Sequence, residues 1–122
     1  MIRIFTIGQA AKKVGLNIGA IRFYERKGLL DPVVRNEQNN RLYTDDEINW
    51  LIFLRCLRET GMSVEEIKKY YDMVKAGTST LPERIKLIQD QKQALLDDID
   101  KKKAQLIHLE HKLERYYRGE NY

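Results

Sequence analysis

The feature that most constrains this chain is a long stretch, from Pro82 to about Tyr117, that contains no glycine and no further proline. Thr80 and Glu83 have the spacing of a capping box just before it, and Pro82 falls in a first turn, where its missing N–H costs nothing. We therefore predict one long helix, about 55 Å in length at 1.5 Å per residue.

Apolar residues recur along this helix with the 3,4 spacing of a coiled coil. Eight of the ten a and d positions are apolar or aromatic, which predicts a seam of about five heptads. A small domain cannot cover so long and narrow a stripe, so the simplest partner is the same helix of a second chain. The alternative is a hairpin against the preceding helices, which would cover only the first turns. The expected dimer contacts are Ile88, Leu95, Ile99, Leu106, Leu109 and Leu113.

Two lysines, Lys92 and Lys102, also lie on the predicted seam. In a parallel dimer each would face its own copy, whereas an antiparallel arrangement, or snorkelling of the ammonium groups, relieves the repulsion. We therefore expect an antiparallel coiled coil.

The first part of the chain has the pattern of a helix-turn-helix. Thr6 and Gln9 have capping-box spacing and open an amphipathic segment that ends at Val14. After a glycine turn, Asn17 is a good N-cap for a second helix over 18–27. Two short helices joined by a glycine turn are typical of DNA-binding heads.

Residues 29–42 predict a wing, because Asp31-Pro32, a valine pair and the asparagine-rich run 36–40 indicate two short strands joined by a polar tip. Two further capping boxes, at Thr44 and Ser63, predict a third and a fourth helix. The predicted fold is thus mostly α, with a winged helix-turn-helix head at 1–76 and a dimerisation helix at 80–118.

Positive charge is concentrated in the head. Residues 1–41 contain eight basic and three acidic residues, whereas the other 81 are about neutral. Such a distribution fits a nucleic-acid-binding surface, although a moderately basic surface without a partner would have the same composition. The sequence has no apolar run near 18 residues and no signal peptide, and its single cysteine, Cys56, suits a reducing compartment. We expect a cytoplasmic protein without a membrane partner.

Three runs carry a resemblance to a known family: TIGQAA at 6–11, IRFYERKGLL at 21–30 and RLYT at 41–44. Together they resemble the head of the MerR family of bacterial transcription regulators. The resemblance implies an antiparallel coiled-coil dimer on an inverted repeat within double-stranded promoter DNA. It also implies activation by distortion of the promoter spacer, so that RNA polymerase can engage both promoter elements.

The side chains of the two predicted DNA-binding elements suit that role. Arg22 carries a fork of donors for guanine edges or phosphates, and Tyr24 adds a hydroxyl and a stacking face. Both could instead be scaffold residues, and the wing arginines could be merely solvated. Glu25 is expected to be structural and to pair with a basic neighbour or a backbone donor. The expected DNA contacts are Asn17, Ile18, Arg22, Tyr24, Arg35, Arg41 and Tyr43.

The expected sensing residue is Cys56, since its helix resembles the branch of the family that responds to aldehydes and other thiol-reactive electrophiles. The alternative is that Cys56 packs as a small apolar side chain. The neighbouring Arg55 and Arg58 project elsewhere on the helix and would not activate the thiol. His108 and His111 lack a third ligand, so neither a metal site nor a cofactor is expected.

The sequence contains no glycine-rich phosphate loop and no nucleophile motif, so an enzyme is not expected. A coiled-coil adaptor without sequence-specific DNA binding is the alternative function. The concentration of basic residues in the head favours the DNA-binding regulator.

Overall fold

The structure, a computed structural model, describes residues 3–122; Met1 and Ile2 of the predicted head lie outside that range. Contacts divide the chain into two units, one up to Arg84 and one from Ile85 onward. The predicted mostly α architecture is confirmed. In chain order the elements are β1 (Ile4–Thr6), α1 (Ile7–Val14), α2 (Ile18–Arg26), β2 (Val34–Arg35), β3 (Arg41–Thr44), α3 (Asp45–Glu59), α4 (Val64–Ala76) and α5 (Leu81–Tyr117).

Three of the four predicted capping boxes are confirmed. Thr6, Thr44 and Ser63 each have extended backbone and accept a hydrogen bond from the amide three residues later, while the Gln or Glu side chain there binds back. These reciprocal bonds satisfy amide donors that a helix start leaves unpaired. They explain why α1, α3 and α4 begin where the sequence predicts.

The fourth predicted box, at Thr80 and Glu83, is wrong. A 3₁₀ turn over Thr78–Thr80 leads directly into α5, so Thr80 lacks the extended backbone that an N-cap requires. Its hydroxyl instead lies 2.7 Å from the Met73 carbonyl oxygen and accepts a hydrogen bond from Arg84 Nε at 3.0 Å. The start of α5 is therefore tied back to the end of α4.

The sheet has three antiparallel strands in the order β1-β3-β2. The predicted wing is confirmed as the β2-β3 hairpin, in which Arg35 pairs with Arg41. Its tip turns at Asn39, which has a left-handed φ of 62°. The strand β1 is a finding that the sequence pattern misses, since three residues are too few for a periodicity and β1 is defined by its pairing with β3.

The core of the head lies where α1, α2 and α3 meet β3. Tyr43, the largest of its fully buried side chains, projects from β3 into this core. Trp50 of α3 packs at the edge, donates a hydrogen bond to the Leu29 carbonyl and stacks on Tyr71 of α4. The buried cluster comprises Ala10, Ala11, Val14, Ile21, Leu30, Tyr43, Ile48 and Leu51.

The second unit is the remainder of α5 with the C-terminal residues. Within the single chain α5 buries none of its residues. Beyond Asp90 its leucines and isoleucines are all exposed, from 38% at Leu95 to 65% at Leu109. Pairs spaced by four residues, such as Lys86 with Asp90, join charged side chains along this surface. No helix within residues 3–122 is long and apolar enough to span a membrane.

Candidate nucleic-acid interface

The exposed face of α2 carries the side chains that the sequence assigns to DNA. Asn17 caps the helix by accepting a hydrogen bond from the Ala20 amide at 2.7 Å. Ile18, Arg22 and Arg26 follow at intervals of four residues and are all exposed, so they share one face. No hydrogen bond or ion pair to another residue within 3–122 engages Arg22. Its guanidinium is therefore available to a ligand.

The wing presents its arginines close to its tip. Arg35 donates a hydrogen bond to the Asn39 carbonyl at 2.9 Å, which ties this side chain to the turn. The Asn36 side chain accepts bonds from the amides of Gln38 and Asn40, so it organises the tip from within. Arg41 begins the return strand and is about half exposed.

A cleft of about 590 Å³ separates α2 from the wing. Three arginines contribute to its walls, Arg22 and Arg26 from α2 and Arg41 from β3. Sequence reasoning missed Arg26, although its position four residues after Arg22 places both on one face. The complete lining is Thr6, Ile7, Arg22, Glu25, Arg26, Asn36, Asn39, Asn40, Arg41, Leu42 and Tyr43.

One carboxylate, that of Glu25, lies among these cationic groups. It forms an ion pair with the Arg41 guanidinium across the cleft. The Glu25 side chain is only 13% exposed. The prediction that Glu25 pairs with a basic neighbour is confirmed, and the partner is on the wing.

The two tyrosines in the predicted DNA-contact set are buried. Tyr24 is 9% exposed and Tyr43 is not exposed at all. Tyr43 therefore packs in the core, which corrects its interpretation as a wing residue facing DNA. Burial, and then the nearby Glu25 carboxylate, raise the pKa of Tyr43 to about 12. Its buried hydroxyl has no hydrogen-bond partner among the described residues.

A second basic surface lies at the start of α4. A cleft of about 630 Å³ there is lined by Ser63 and by four cationic side chains, Lys27, Arg58, Lys68 and Lys69. The capping box of Ser63 and Glu66 already pairs the backbone amides of these two residues at the helix start. This surface adds positive charge to the head beyond the cleft between α2 and the wing.

Cys56 is exposed on α3. Within the single chain, the thiol therefore lies outside the core of the head. Arg55 donates hydrogen bonds to Glu59 and to the Val14 carbonyl, both at 2.7 Å, and Arg58 donates to the Met62 carbonyl at 2.8 Å. Both arginines are thus engaged away from the thiol. Within 3–122, no three His, Cys, Asp or Glu residues are grouped so as to hold a metal ion.

Comparison with known proteins decides the family. The family model described as "MerR HTH family regulatory protein" matches residues 5–74, which include the helix-turn-helix, the wing, α3 and most of α4. The chain belongs to the MerR family. It is a DNA-binding transcription regulator of that family.

Relatives extend the similarity to α5. An HTH-type transcriptional regulator from Haemophilus influenzae is 37% identical over 115 residues, covering 94% of this chain and 85% of that protein. The regulator AdhR from Bacillus subtilis is 35% identical over 75% of this chain and 65% of its own length. The crystal structure of HiNmlR, described as a MerR family regulator lacking the sensor domain and bound to promoter DNA, matches with a TM-score of 0.86. The two sequences are 37% identical, and the match covers 95% of this chain and 92% of the HiNmlR chain.

The burial of the Tyr43 hydroxyl leads to a pH-dependent prediction. Because the folded state raises the pKa from 10.0 to about 12, ionisation of Tyr43 favours the unfolded state, so wild-type stability is retained below pH 10 and falls as the pH rises towards 12. Tyr43→Phe removes an unpartnered polar group, so we expect the free energy of unfolding at neutral pH to be unchanged or raised. Between pH 10 and 12 wild type should lose stability relative to the variant. Denaturant unfolding across this range measures both effects; a large loss of stability for Tyr43→Phe at neutral pH would contradict the unpartnered state.

Proposed function

We propose that this MerR-family regulator binds an inverted repeat in promoter DNA as a homodimer, with α2 in the major groove and the wing on the adjacent backbone. The observation that carries the proposal is the cleft between α2 and the wing, whose walls combine a free Arg22 with Arg26, Arg41 and the amides of the wing tip. Arginine forks suit guanine edges and phosphates, and asparagine amides donate to phosphate oxygens. Such a regulator acts where the chromosome lies, in the cytoplasm.

Substitution of Arg22 tests whether α2 reads the bases of the operator. If the guanidinium binds a base, Arg22→Ala should weaken operator binding by about 1–3 kcal/mol, and Arg22→Lys should restore little of the loss because a point charge cannot replace the fork. Lys12→Ala is the matched control, since this exposed lysine of α1 should contribute less and equally to all sequences. Titration of labelled operator duplex measures the affinities. Unchanged binding by Arg22→Ala at physiological salt would mean that another element reads the bases.

The exposed apolar face of α5 supports the homodimer. Leu106, Leu109 and Leu113 are between 48% and 65% exposed in the single chain, and together they continue one seam. A second copy of the same helix would cover all of it, and the lysines at 92 and 102 favour the antiparallel arrangement. Two heads held in this way can contact two half-sites.

Substitutions on α5 distinguish the contribution of the seam to dimerisation from that of the rest of the helix surface. Leu106→Glu with Leu109→Glu should convert a dimer at micromolar concentration into a monomer and abolish operator binding, because one half-site supplies too little affinity. Ile107→Glu is the matched control, since Ile107 is 51% exposed but lies off the seam. Sedimentation equilibrium measures the masses. A folded wild-type monomer, or dissociation by Ile107→Glu alone, would contradict this dimer.

We further propose that the dimer activates transcription by distorting the promoter spacer for RNA polymerase in response to an electrophile that modifies Cys56. The exposure of the thiol and the resemblance of its helix to the aldehyde-responsive branch support this role. Because α3 follows the wing directly and is capped by the last residue of β3, an adduct on α3 could tilt the head. A small rotation of two heads fixed to DNA would change the twist of the duplex between them.

Cys56→Ser tests the sensing role. The variant should retain dimerisation and operator binding while losing the transcriptional response to methylglyoxal, formaldehyde or a quinone. Its lysines are those of wild type, so adducts elsewhere would persist and only the adduct at position 56 would disappear from the mass spectrum. In vitro transcription with and without the electrophile measures the response, and an equal response from both proteins would remove Cys56 from the mechanism.

A further inference from the structure

We propose that Glu25 is a positioning residue for DNA recognition, because its ion pair with Arg41 fixes the wing relative to α2. This inference rests on the DNA-binding role proposed above and gives the Glu25–Arg41 ion pair a part in it. Glu25 belongs to the recognition helix, whereas Arg41 is the first residue of β3. The pair therefore joins the two elements that are proposed to contact DNA, one from each side of the cleft.

The surroundings of the pair favour a fixed geometry. The Glu25 side chain is 13% exposed and the Arg41 side chain 47% exposed, so salt screens this pair less than a fully exposed one. Arg41 and Tyr43 project from the same face of β3, because alternate residues of a strand share a face. The Glu25 carboxylate is close enough to raise the Tyr43 pKa. The ion pair thus lies next to a core residue that anchors β3.

The position of Arg41 also controls the rest of the wing. Arg41 is paired with Arg35 across the hairpin, and Arg35 in turn binds the tip carbonyl of Asn39. A shift of the first residue of β3 would therefore move both wing arginines and the tip together. Without its partner, the nearly buried Glu25 carboxylate would also be left uncompensated, which favours a rearrangement at this place.

A positioning role and simple electrostatics predict opposite changes in DNA affinity when the charge of this carboxylate is neutralised. A negative charge in a cleft that accepts phosphates repels them, so its neutralisation alone should strengthen binding to any DNA. If Glu25 instead holds the wing in place, its neutralisation should weaken binding to the operator. The change in operator affinity therefore distinguishes the two roles.

The experiment compares Glu25→Gln, Arg41→Gln and the double variant with wild type. The probes are a duplex that the wild-type chain selects from a random pool and a scrambled duplex of equal composition. Glu37→Gln is the matched control, because it removes the same charge from an exposed site at the wing tip. Thermal unfolding of each variant checks the fold independently of DNA.

We expect Glu25→Gln to bind the selected duplex about 3- to 30-fold more weakly, and the double variant to bind no more weakly than Arg41→Gln alone, as for coupled residues. Binding of the scrambled duplex should be unchanged or tighter for Glu25→Gln. Glu37→Gln should bind both duplexes at least as tightly as wild type.

Selected-duplex binding by Glu25→Gln that equals or exceeds wild type, as for Glu37→Gln, would overturn the positioning role and leave DNA binding intact. If Glu25→Gln fails to fold, Glu25→Asp serves instead, because it keeps the charge but shortens the reach to Arg41. Unchanged affinity of Glu25→Asp for the selected duplex would then overturn the inference. A wild-type chain that selects no sequence would contradict the proposed function itself.

Discussion

The head is organised around its central strand, β3. It pairs with β1 on one edge and with β2 on the other, and it inserts Tyr43 between the helices of the core. Its last residue, Thr44, caps α3. One four-residue segment thus fixes the base of the wing, the start of the third helix and the packing of α1 against the core.

This arrangement explains how so small a head can present a defined surface. The wing extends from a strand that is paired on both sides, so its register is set by hydrogen bonds as well as by the burial of Leu42 and Tyr43. The helix α2 is fixed differently, by the burial of Ile21 and Tyr24 and by the ion pair of its Glu25 with Arg41. Polar and cationic side chains line the cleft between α2 and the wing together with the apolar Ile7 and Leu42 and the aromatic Tyr43.

The sequence predicts those features that depend on neighbouring residues. The boxes at Thr6, Thr44 and Ser63 specify helix starts through bonds that span three residues, so their pattern can be recognised without the fold. The same pattern at Thr80 fails because the preceding 3₁₀ turn, set by contacts with α4, removes the extended backbone. The partner of Glu25, the strand β1 and the burial of Tyr43 all depend on residues distant in sequence. Local patterning carries no signal for such pairings.

The proposed function requires a two-headed, sequence-specific contact with DNA, which hydroxyl-radical footprinting of the wild-type chain can detect. The probe is a duplex that the chain itself selects from a random pool. Two heads on one operator should protect two half-sites related by an inverted repeat, with centres separated by a multiple of one helical turn, about 10–10.5 base pairs. Uniform protection along the duplex, or protection of one isolated half-site, would contradict the proposed function.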